Sequence, residues 1–112
     1  MKTHTFEGYT ILQGTCAKEN WVLLDSAKPE HYFFHLSSFP SGYIILQCDD
    51  KPLPQVVKYC AKLCQAGTKY KKLRNLKIDY CPCSNVMKGE SVGEAVFKSN
   101  RRVSQTMFIN IQ

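Results

Sequence analysis

Apolar and polar residues change their spacing several times along this chain, and each change marks an element. In "GYTILQG", residues 8–14, the two kinds alternate between glycines, the period of a short strand. "TCAKENWVLLDSA" follows, with Cys16, Ala17, Trp21, Leu23 and Leu24 as a helical stripe. Thr15 is placed to cap its N-terminus, Glu19 falls in its early turns and Pro29 closes it. "HYFFHL" returns to the strand period, with Tyr32, Phe34 and Leu36 on one face and His31, Phe33 and His35 on the other. "SFPSG" breaks that strand, and "YIILQC" restarts as one apolar enough to lie inside a sheet.

"LPQVVKYCAKLCQAG" carries the clearest helical stripe: Val56, Val57, Cys60, Ala61, Leu63 and Cys64 share a face, and Gly67 stops it. A basic loop, "TKYKKLRN", leads into "LKIDYCPC", where Leu76, Ile78 and Tyr80 alternate with Lys77, Asp79 and Cys81. "SNVMKGES" reads as a turn, and "VGEAVFKS" and "RVSQTMFINI" pair as a hairpin across Asn100-Arg101. The predicted order is β-α-β-β-α-β-β-β. That order predicts an α+β domain, a mixed, largely antiparallel β-sheet packed against one or two α-helices. No repeat or linker divides the 112 residues, so residues 1–112 form a single domain.

Charge sharpens the picture. The chain has a net charge of +6, unevenly placed. Residues 1–56 carry four lysines against six acids, whereas residues 57–112 carry eleven lysines and arginines against three. Between Asp50 and Asp79 every charged side chain is a cation, including Lys69, Lys71, Lys72 and Arg74. Such asymmetry points to a polyanionic partner, nucleic acid foremost, against the alternative of a solvated lysine surface. The N-terminus has no apolar signal core, and no stretch approaches the length of a membrane span, so no membrane is expected. Six cysteines without a secretion signal predict reduced, buried thiols in a cytoplasmic or nuclear compartment. Cys60 and Cys64, with Cys81 and Cys83, would offer four thiolates to zinc only if the pairs met in space, and their spacings are not a common zinc pattern. Neither metal nor cofactor is expected.

Chemistry-bearing residues gather at the break. His35 ends an aromatic strand, with Glu30, Asp25, Asp79 and Cys48 as candidates to orient it, yet no catalytic signature surrounds it. The tyrosines and phenylalanines are interleaved with cations; rings on a sheet face can stack on unpaired bases while lysines hold phosphates. Tyr70, between Lys69 and Lys71, is the ring least expected in the core. Arg101 and Arg102 add a second basic turn.

In order, "GYTILQG", "AKEN", "KPEHYFFHLSSFPSGYIIL", "CAKLC" and "LKIDYCPCSNVMKGESVGEAVFKS" resemble the NFACT-R domain, over residue 6 to about residue 110. That family is the RNA-binding domain at the carboxyl side of ribosome-quality-control proteins, found also alone or with a coiled-coil tail. Gly14 and Asn20 match its glycine-bounded strand and the asparagine of its first helix. Phe33, Phe34 and His35 match its aromatic pair and histidine, and Pro40, Ser41 and Gly42 its turn. Tyr80, Asn85, Lys88 and Gly93 match the last block. Three positions depart: His31 stands where the family usually has Asp, Phe33 where it has Trp, and Tyr43 where the turn has histidine.

The resemblance implies an RNA-binding module contacting tRNA or ribosomal RNA, with a ribosomal particle as a further partner, and no enzymatic activity. The RNA contacts expected on these grounds are Phe33, His35, Ser41, Gly42 and Tyr43 at the break, and Lys69, Tyr70, Lys71, Lys72 and Arg74 in the basic loop. Lys88, Arg101 and Arg102 complete the set. Two other readings stay open: an adaptor docking on a ribonucleoprotein or RNA-modifying enzyme, and a small RNA-acting enzyme with His35 as base. The first reading predicts steep salt dependence, the adaptor an exposed apolar patch, the enzyme a pocket around a coupled His35.

Overall fold

The computed structural model describes residues 1–109. The chain opens with a hairpin: β1 (Lys2–Phe6) returns as β2 (Tyr9–Gln13), with Phe6 opposite Tyr9. Its turn residues, Glu7 and Gly8, both have positive φ, the hand that matches strand twist in a tight hairpin. Helix α1 (Ala17–Ser26) precedes β3 (Tyr32–Leu36) and β4 (Ile44–Gln47), and α2 (Pro54–Ala66) precedes β5 (Asn75–Pro82). Then come β6 (Val86–Lys88), β7 (Ala95–Phe97) and β8 (Ser104–Ile109). Six strands form one sheet in the order β1-β2-β4-β3-β5-β8, and β6 and β7 form a separate pair. Every strand pairing among the described residues is antiparallel. The fold is α+β, with two helices.

Alternation along the strands builds two cores, one on each face. Phe34, Leu36, Ile44 and Ile78 point to one side, where α2 lays down Val56, Cys60, Ala61 and Cys64. Phe33, Ile45 and Cys81 point to the other, where Leu23 of α1 and Val86 meet them, with Ala95 and Phe97 packed alongside. Ile44 and Ile45 are both essentially inaccessible, one per core, which is why "YIIL" has no polar position. Burying one such side chain is worth about 1.5–3 kcal/mol.

Several expectations are corrected. The first strand, β1, escaped the pattern, because its outer residues are exposed at a sheet edge. Thr15 is not the N-cap of α1: Cys16 is, without a side-chain bond, while the Thr15 N–H and hydroxyl both donate to the Glu19 carboxylate at 2.9 and 2.6 Å. Residues 86–88, read as turn, are β6. The hairpin across Asn100-Arg101 does not form. Val86 faces Phe97 and draws β7 onto β6, as cover for Phe33, while a 3-10 turn at Asn100–Arg102 carries the chain back to the sheet edge. There β8 pairs with β5 and packs Phe108 on the α2 side. Asn110 and Ile111, read as part of that strand, lie outside the described residues.

Candidate functional site

The break after β3 and the turn after β2 meet at one end of the sheet. The Gly14 N–H donates to the Tyr43 carbonyl, and the Tyr43 N–H donates to Asn20 Oδ1, each at 3.0 Å. Asn20 is buried to 7% exposure on α1 because this one backbone donor needs it. The approach is so close that both glycines are forced. A Cβ on Gly14 would overlap Asn20 Oδ1, and one on Gly42 would overlap the Gly14 carbonyl oxygen. On the far side the Tyr43 hydroxyl donates to the Gly93 carbonyl, and Trp21 Nε1 donates to the Glu94 carbonyl at 2.9 Å. Thr68, buried at the end of α2, donates through Oγ1 to the Pro40 carbonyl at 3.0 Å.

These ties shape an open cleft of about 1090 Å³, lined among others by Asn20, His35, Ser41, Thr68, Lys69 and Gly93. His35 stands on its floor, opposite Asp79 in the strand register. Its Nδ1 lies 2.8 Å from the Leu36 carbonyl, which calls for a proton on that nitrogen. The ring stacks over Phe33, centroids 6.1 Å apart, and meets Tyr43 edge-on at 5.7 Å. Burial lowers its pKa below the usual 6.5, against main-chain hydrogen bonds at Leu36 and Ser41 and the Asp79 charge, which pull it upward. The Leu36 N–H donates to Ser41 Oγ at 3.2 Å, and Asp79 Oδ1 accepts from Gln105 Nε2 at 2.8 Å. The main chain thus braces His35, whose burial disfavours the charged form, and Asp79 is bonded to Gln105.

Of the residues expected from sequence, Phe33, His35, Ser41, Gly42 and Lys69 line the cleft. Two expectations about rings need correction. Phe33 and Tyr43 are each 1% exposed, so neither presents a face on which a base could stack. Tyr70 is half-buried, tilted against Phe39 at 4.4 Å between centroids, with the Lys69 ammonium 5.3 Å from its ring. Lys71, Lys72 and Arg74 are exposed in the loop that Lys69 opens, beyond the cleft lining. Lys88 is elsewhere, paired with Asp25 at 2.7 Å and lying over Trp21. Arg102 donates to Ser84 Oγ at 2.9 Å, and Arg101 is exposed; neither lines the cleft. Thr68 and Gln105 were missed: a threonine after a helix-stop glycine and a glutamine in an edge strand carry no signal of their destination.

The four cysteines considered for zinc do not converge. Cys60 and Cys64 belong to the core under α2, Cys81 and Cys83 to the core on the opposite face. Burial pushes the Cys60 and Cys83 thiols up to about 12 and Cys48 to about 11. Among the described residues no group of three or more His, Cys, Asp or Glu side chains is placed to hold a metal ion.

No family model matches the chain, and no curated protein matches it in sequence. Among solved structures it is similar to the C-terminal part of the fibronectin/fibrinogen-binding protein from Streptococcus suis. The TM-score is 0.79 at 19% identity, over 96% of this chain and 43% of that one. The two share a fold. This chain spans less than half of the other's length. Among the described residues no helix is long and apolar enough to cross a membrane.

Proposed function

We propose that this chain is an NFACT-R-like domain that binds RNA, tRNA or ribosomal RNA, at the cleft mouth and along the basic loop beside it. One observation carries the reading. Lys69 lines the cleft and opens a loop whose charged residues, Lys69, Lys71, Lys72 and Arg74, are all cations. Like charges so close repel one another, and a polyanion relieves that repulsion. His35 and Ser41 contribute polar edges to the floor, and the buried rings of Phe33 and Tyr43 hold that floor in place. The Leu36 carbonyl takes the Nδ1 proton and orients the His35 ring, an arrangement that serves a bound ligand or a reacting one alike, so the charge of the loop and not His35 carries the reading. The six free thiols suit a reducing compartment, cytoplasmic or nuclear.

A salt titration of binding to a tRNA pool tests this. Each lysine or arginine that neutralises a phosphate releases counterions, so log affinity falls with log salt by about 0.7 per contact on a single strand. Replacing Lys71, Lys72 and Arg74 together with Gln should weaken binding alike across sequences and flatten the slope by about two units. Unchanged affinity and slope in that variant would refute the assignment.

A further inference from the structure

The face of the sheet opposite α2 is only partly covered. Over β3 and β4 it is closed by α1 and by β6 and β7, through Leu23, Val86 and Phe97. Among the described residues, the cover ends beyond the His35–Asp79–Gln105 row. Leu76, Ile78 and Phe108 point into the α2 core, so their neighbours Asn75, Lys77, Met107 and Ile109 must point the other way. They do, into solvent: Met107 is 49% and Ile109 57% exposed, and Asn75 and Lys77 are exposed beside them. Lys77 stands opposite Met107, and Asn75 opposite Ile109, so the four form a compact square. Apolar side chains fill one strand of it, and an amide and an ammonium the other. Gln105 continues the row towards the cleft, its Nε2 reaching Asp79 at 2.8 Å and Ser37 at 3.3 Å.

We propose that this open β5–β8 face is a platform for unpaired bases of single-stranded RNA, an inference that rests on the RNA-binding reading above. Charge complementarity selects the occupant. The basic loop ends at Arg74, immediately before Asn75 on β5, so its cations border the platform and Lys77 adds one within it. The one acid within β5 and β8, Asp79, keeps its charge while bonded to Gln105, but it lies two residues beyond Lys77, on the side away from the basic loop. A second copy meeting this one through the same face would bring the same net-positive patch, Lys77 and its bordering loop, with no anion to complement it. A single strand brings phosphates to the cations and flat apolar faces to Met107 and Ile109. A thioether makes favourable contact with an aromatic ring, and a base is one. The Asn75 amide and the Gln105 Oε1 acceptor can meet the Watson–Crick edges of bases, which are free in a single strand and paired in a duplex. The platform therefore selects unpaired RNA, while the loop cations act on any phosphate backbone.

Three proteins decide this: the wild-type chain, the double variant Met107→Ser/Ile109→Ser and the loop variant Lys71→Gln/Lys72→Gln/Arg74→Gln. Both apolar positions are exposed, so the double variant should melt like wild type. The probes are a fluorescent randomised single-stranded RNA pool and a duplex RNA of equal length. The double variant should lose about tenfold in affinity for the single strand, keep its salt slope and bind duplex as wild type does. Met107→Tyr should tighten single-strand binding. If the loop variant weakens binding while the double variant does not, the bases lie elsewhere, and this inference fails while the RNA reading stands. A wild-type chain that binds neither probe sinks the RNA reading and this inference with it. Should wild type dimerise in sedimentation and the double variant not, with equal RNA affinity, the face belongs to a second copy and the proposal is overturned.

Discussion

Gly14 and Asn20 should behave as one unit under mutation. Asn20→Ala removes the acceptor of the Tyr43 N–H, a donor at a buried residue. Leaving such a group unpaired costs about 1–3 kcal/mol. Gly14→Ala acts by crowding: the new methyl would overlap Asn20 Oδ1 and come within 3.1 Å of its Cγ, both side-chain atoms. Gly14 has no positive φ, so backbone strain adds nothing, and the expected cost is that of overpacking, about 1–3 kcal/mol. In the Asn20→Ala background those two atoms are gone, and only the 3.3 Å approach to the Asn20 main-chain nitrogen remains. Gly14→Ala should then cost little more. The double variant should be more stable than the sum of the single effects predicts, by about 1–2 kcal/mol. Urea unfolding of the four proteins, with m-values compared, measures this. Additivity within about 0.5 kcal/mol would mean that the two residues do not touch as described.

Three further outcomes follow from the chemistry. The folded domain holds His35 with a pKa below the usual 6.5, so the unfolded chain binds its proton first on acidification. The stability His35 contributes is full above 6.5 and is lost as pH falls through the lower folded value; His35→Gln should flatten urea midpoints over that range, and equal pH slopes would contradict this. Cys16 is exposed while Cys48, Cys60, Cys64, Cys81 and Cys83 are buried, so a thiol reagent should titrate one cysteine natively and all six in denaturant; fast native reaction of several would refute the packing. A chelator should leave the melting curve unchanged, since the two cysteine pairs lie in different cores; unfolding by chelator would show a structural metal.

What the sequence made legible follows from how local each signal is. Helix α2 was readable because its stripe, Val56 to Cys64, and its Gly67 stop all lie within one element. The two faces of β3 were readable because alternation alone separates Phe33 from Phe34. Strand β1 hid because an exposed edge strand has little apolar alternation, although Glu7-Gly8 between "KTHTF" and "YTILQ" marked a tight turn. The partner of β8 was misread because nothing within "RVSQTMFINI" records that Phe108 belongs with α2 while Phe97 covers Phe33. That His35 and Ser41 line the cleft was legible because the Pro-Ser-Gly break marks them. The burial of Tyr43 was not, since it depends on Gly93, 50 positions away along the chain.

The β6–β7 pair is a small sheet hung on a large one. It shares no strand pairing with the six-stranded sheet, and side chains hold it in place: Tyr43 on Gly93, Trp21 on Glu94, Lys88 on Asp25. Cooperative units in proteins open at free energies set by such attachments, so this excursion should form a subglobal unit of its own. Its amides should exchange with deuterium ahead of those in β3, β4 and β5, under conditions where the central sheet stays protected. Because Gly93 and Phe97 are also walls of the cleft, each opening would unroof it. Ligand at the cleft should slow exchange in β6 and β7 first, which makes those amides a reporter of occupancy.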